Sequence, residues 1–60
     1  MLIAVTIYQG EKIIWDSHIS GGLIPAPGDS ISIDGKTHQV THRRWLFSLG
    51  TINGVEIAVS

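Results

Sequence analysis

Four consecutive residues, His42-Arg43-Arg44-Trp45, concentrate the chemistry-bearing groups of this chain. A guanidinium grips phosphate or carboxylate in a two-pronged manner, and an indole offers a stacking face to a base or a cation. Lys36, Arg43 and Arg44 are three of the 4 Lys and Arg residues, so the local field here is positive. Arg43 and Arg44 fall on opposite faces of a regular strand and would not clamp one phosphate together. The plainer reading makes Trp45 a core residue and the arginines edge-strand charges that discourage aggregation.

His38 and His42 have the spacing of a helical metal pair, but on a strand they stand roughly 13 Å apart. Two imidazoles at that separation cannot share a zinc, and no thiolate exists to complete a site, so no metal or cofactor is expected. Asp16 and His18 share a strand face, with Ser17, Ser20 and Ser30 available. Nothing in that spacing brings a hydroxyl to an oriented base, so catalysis is not expected. Gly21-Gly22 could turn backbone N–H groups toward an anion, or could simply be a loop. Tyr8 and Trp15 lie on the two arms of a first hairpin; with Trp45 they could form an aromatic anchor surface or a subunit contact.

Which elements would position these groups follows from periodicity and turn chemistry. Pro25 and Pro27 fix their own φ and push Ile24 and Ala26 out of helical geometry. Pro27-Gly28 fits the centre of a type II turn, after which Asp29 can bond nearby backbone. Ser30-Ile31-Ser32-Ile33 alternates as a strand, Asp34-Gly35 is a type I′ hairpin signal, and Lys36 to about Ser48 returns as the partner. Upstream, Leu2 to Tyr8 reads as a strand, a turn falls at Gln9-Gly10 or Gly10-Glu11, and a second strand runs from about Glu11 to Ile19. Ser20-Gly21-Gly22 is a flexible break. Downstream, Asn53-Gly54 signals a reversal before a last strand, Val55 to Val59. Along the fourth strand Val40 and Trp45 should both be core, yet strict alternation puts them on opposite sides. Either a bulge near Thr41–Arg43 shifts the parity, or Trp45 and Phe47 face outward as an interface.

The chain has 60 residues, no cysteine and a formal net charge of −1, which bounds it to one small domain over residues 1–60 without disulfides. Near-zero charge disfavours nucleic acid, whose binding draws heavily on phosphate contacts. The apolar run Leu2 to Ile7 directly follows Met1, is too short to span a bilayer and lacks a secretory layout. No membrane association is expected, and a cytoplasmic address is. Hydrophobic residues make up 43% against 15% charged, more than one small core can shelter, which points to a homo-oligomer.

Pro25, Gly28-Asp29, Ile31, Ile33, Gly35, His38, Val40 and Trp45 look like a pattern P-x-x-G-D-x-I-x-I-x-G-x-x-[YH]-x-V. It resembles a motif of very small Src-homology-3-like barrel proteins of bacteria and their phages. The resemblance covers about the middle third of the chain and implies fold alone, since its positions are turn and core residues. The expected architecture is all-β, a small, partly open barrel of about five antiparallel strands. The expected role is a non-enzymatic binding module, of phage or mobile-element origin, that docks a protein partner through strand edge and aromatic surface. The alternative is an oligomer that binds small anions or nucleotides in a pocket of Arg43 or Arg44, His42, Trp45 and the Gly21-Gly22 loop.

Overall fold

The computed structural model describes residues 2–60. Five strands, β1 (Leu2–Gln9), β2 (Lys12–Ser20), β3 (Ser30–Ile33), β4 (Lys36–Ser48) and β5 (Thr51–Val59), are joined by turns and one 3₁₀ turn over Gly21–Leu23. They form one mixed sheet of order β2-β1-β5-β4-β3, curled into a half-barrel.

Not every pair is antiparallel. β1 lies beside β5 in parallel register, Val5 opposite Val55 through Gln9 opposite Val59. In a meander of five strands the first and last run the same way, so placing them side by side makes that pair parallel. The sheet therefore closes between its first and last strands and stays open between β2 and β3, which follow one another in sequence. Pro25 and Pro27 occupy that connection, where a tight hairpin would otherwise pair β2 with β3.

The turns follow local chemistry with one exception. Gly28 has φ +96° and the Asp29 N–H donates to the Ala26 carbonyl at 3.0 Å, which closes the type II turn. The Asp29 carboxylate accepts from the Ala26 N–H at 2.7 Å, pinning the same loop. Asp34 and Gly35 both have positive φ, as a type I′ turn requires. The exception is Asn53-Gly54, which lies inside β5. The reversal comes earlier, at Leu49-Gly50, with φ +53° and +79°. Asn53 is instead the extra residue where the β4–β5 register slips between Leu46 and Phe47. Gly54 has a packing reason: a Cβ there would lie 3.0 Å from the Ala4 carbonyl oxygen of β1.

The core lies on the concave face. Ile3, Val5 and Ile7 of β1 meet Val55, Ile57 and Val59 of β5, with Val40 from β4 and Ile24 from the loop. Each buried side chain stabilises the fold by roughly 1.5–3 kcal/mol relative to exposure. Two bulges set which neighbours join them. In β4 the register slips between Val40 and His42, leaving Thr41 unpaired and turning Trp45 onto the face of Val55, where it packs half-buried against the core. In β2 the slip falls opposite Ile7 and Tyr8, so that Ile14 and Trp15 both reach the core. Ile31 and Ile33 of β3 complete the concave side, and a cleft of about 220 Å³ lined by Ile7, Trp15, Ile19, Pro25, Ile31 and Ile33 marks the open seam.

Candidate functional site

The Thr41 bulge distributes the cationic-aromatic cluster over two faces of β4. Arg43 stands opposite Ile57 and Trp45 opposite Val55, both on the concave side, while Arg44 stands opposite Glu56 and His42 opposite Ala58 on the convex side. The Arg43 guanidinium lies 5.4 Å from the centre of the Trp45 ring, within cation–π range. The result is a shelf of one cation on one indole at the sheet's margin.

That margin is open. β3 pairs only with Lys36–Gln39 of β4, and the loop at Gly28 and Asp29 extends the pairing by one residue, to Val40. From Thr41 to Ser48, β4 has β5 on one side and no backbone neighbour on the other among the described residues. Its unpaired N–H and C=O groups are the template that an incoming strand uses.

On the convex face, Glu56 of β5 gathers groups from the two strands that flank it. The Tyr8 hydroxyl donates to Glu56 Oε2 at 3.2 Å, and Arg44 donates through Nε at 2.9 Å and through Nη2 to Oε1. The Arg44 hydrogen bonds, together with the Tyr8 hydroxyl and the guanidinium charge, hold the Glu56 carboxyl below the usual carboxylate range despite partial desolvation. The same hydrogen bond from the other side raises the Tyr8 phenol, because ionising it would place a second anion against Glu56. Tyr8, Gly10, Glu11, His42, Arg44 and Glu56 line an open groove of about 500 Å³ here. Glu56 neutralises the one arginine that faces this groove, so the site has little to offer an anion.

The remaining candidates are dispersed. Trp15 packs against the core and lines the seam, on the face opposite to Tyr8, so Tyr8, Trp15 and Trp45 do not form one aromatic surface. Gly21 and Gly22 belong to the 3₁₀ turn beyond Ser20, which pairs with Leu2 at the far end of β1 from Tyr8. Gly21 sits where a Cβ would lie 3.1 Å from Ile3 Cδ1, a close-approach position. Within one chain these glycines do not adjoin Arg44 or Trp45. His38 Nδ1 engages the Ser60 carbonyl oxygen at 2.9 Å, and His42 Nδ1 the Thr41 hydroxyl at 3.2 Å. Among the described residues no three His, Asp or Glu side chains cluster as metal ligands, and no helix is long and apolar enough to cross a membrane.

Glu56 was not singled out by its sequence context. Its only signal is that it interrupts Val55-x-Ile57-x-Val59 as the one charged residue on β5, a common feature of a solvated strand face. No protein-family model, curated protein or solved structure matches the chain.

Proposed function

We propose that this protein is a non-catalytic docking module of the small barrel type that captures an extended segment of a protein partner along the open edge of β4. The observation that carries this reading is the stretch from Thr41 to Ser48, unpaired on its outer side and bearing the Arg43–Trp45 shelf. Main-chain hydrogen bonds to an added strand supply affinity, and alternate side chains of the guest supply specificity. Trp and Arg are also the residue types that most often dominate binding energy when an interface desolvates them. Arg44–Glu56 is the one ion pair among the described residues, so Arg43 has no carboxylate partner there and His42 adds no negative charge. The guest is therefore a segment with an acidic residue placed to meet Arg43.

Selection of a random-peptide display library on the immobilised chain tests this, followed by calorimetry with the best acidic binder. Trp45→Ala and Arg43→Glu should each weaken that binder at least ten-fold, while Ile13→Ser, on the opposite margin, should leave it unchanged. Amide exchange should slow over Thr41–Ser48 when the peptide is present, because strand addition protects edge N–H groups. A selection that enriches nothing, or a binder indifferent to Trp45, Arg43 and these amides, rejects the reading.

A further inference from the structure

The end of the molecule away from Tyr8 is apolar and nearly uncharged. The parallel register of β1 and β5 sets Leu2 level with the start of β5, and Ser20 pairs with Leu2, so Gly21–Leu23 emerges at the same end as the β4–β5 hairpin. Before Val55, β5 no longer pairs with β1, although Gly54 still lies against Ala4, and the hairpin continues to Leu49-Gly50 as an arm with β4 and β5 paired only to each other. Leu2 (68%), Leu23 (73%), Phe47 (67%), Leu49 (100%) and Ile52 (42%) are exposed there. No Asp, Glu, Lys or Arg occurs among residues 2–4, 20–23 or 46–55, the three segments that build this end.

Leu49 is the most telling of these residues. It occupies the first central position of a turn that needs positive φ, where Asn, Asp or Gly fits and a leucine is strained. Among the described residues it also packs against nothing in its own chain. A residue that violates the local rule and contributes no contact to its own fold marks a functional position.

We infer that this apolar end is a self-association surface, and that its occupant is a second copy of the chain. Three observations select a copy over other guests. A patch without charge meets itself without like-charge repulsion, as an isologous two-fold contact requires. The five side chains expose together on the order of 600 Å², close to the roughly 800 Å² per partner of a standard dimer, with the arm's backbone and Ser48, Gly50 and Thr51 to add. That contact would take about a fifth of the 4152 Å² surface. Finally, Phe47 and Ile52 pair across the arm and continue the concave stripe of Trp45 and Val55 beyond the core, which gives two arms matching apolar faces to lay together. A lipid surface is the less fitting guest, because no cation flanks the tip between Leu46 and Val55 to meet anionic headgroups. The inference does not rest on peptide capture at the β4 edge.

Light scattering and sedimentation velocity of the full chain from 5 to 500 µM, on the order of the concentrations that separate weak from stable dimers, test it. The mass should rise from 6.5 kDa toward about 13 kDa with concentration. Leu49→Asn, which suits the turn, and Phe47→Thr should each raise the dimer dissociation constant at least ten-fold with an unchanged circular dichroism spectrum, while Ile13→Ser should not. A wild-type chain that stays monomeric at the top of the range overturns the inference. So does a dimer that both substitutions leave intact; if Phe47→Thr does not fold, Leu49→Asn alone decides. A monomer that instead co-sediments with phosphatidylcholine–phosphatidylserine vesicles overturns it in favour of lipid. The Leu49→Asn chain should still bind the acidic peptide, which separates this failure from that of the docking edge.

Discussion

Glu56 receives Tyr8 from β1 and Arg44 from β4, and each contact leaves a different signature against pH. Its carboxyl is lowered in the folded chain, so its contribution to stability is present above the unfolded value, about 4.3, and disappears as pH falls through the folded value. The Tyr8 phenol is raised, so its contribution is intact below about 10 and is lost as pH climbs through the folded value. Thermal melts across pH should therefore lose the acid-side decline attributable to this site in Glu56→Gln, and the alkaline-side decline in Tyr8→Phe. Both effects should be small and salt-sensitive, since Arg44 is largely exposed. Tyr8 and Arg44 could be singled out from residue type, but their convergence on Glu56 could not. Which residue of β5 faces Arg44 depends on the slip at Thr41, and strict alternation cannot supply it.

The elements are held in place by irregularities as much as by pairing. Thr41 turns both Val40 and Trp45 inward, and deleting it would reverse the face of every residue after it in β4. The Thr41 deletion should leave the chain unfolded by circular dichroism, whereas Thr41→Val should fold. Gly54→Ala should lose about 1–3 kcal/mol in a urea titration, because the obstructing atom is a backbone carbonyl that cannot swing aside. Strand identities and two of the turns were legible because alternation and Asp-Gly or Pro-Gly chemistry are local. The need for a bulge at Thr41–Arg43 was legible as a conflict between Val40 and Trp45. Asn53-Gly54 misled because the same dipeptide suits a turn or a close-packed bulge, and only the approach of Ala4 distinguishes the two.

At the scale of the whole molecule, the core is thin. A 60-residue domain at about 0.05–0.15 kcal/mol per residue has roughly 3–9 kcal/mol in hand. Ile57→Ala, removing a fully buried side chain shared by β1, β5 and β4, should cost about 2–5 kcal/mol and leave the chain at or beyond its unfolding threshold at 25 °C, read by urea titration. Composition revealed an excess of apolar residues over what such a core can hold, though not their location. The exposed set gathers at one end because the pairing of β1 with β5 stops at Val5 and Val55 while the β4–β5 pairing runs on, a difference that shows only once register is known.

Joining β1 to β5 also fixes the order in which the molecule can be made. The first hairpin has nothing durable to lean on until residues about fifty positions later have arrived, so during synthesis it waits while the greater part of the protein emerges. Contacts of such sequence separation slow the search, and refolding should fall toward the millisecond-to-second range of non-local β topologies, not the microseconds of local hairpins. For that interval the Leu2–Ile7 ribbon has β2 on one side and nothing on the other, an adhesive margin until its own last strand arrives.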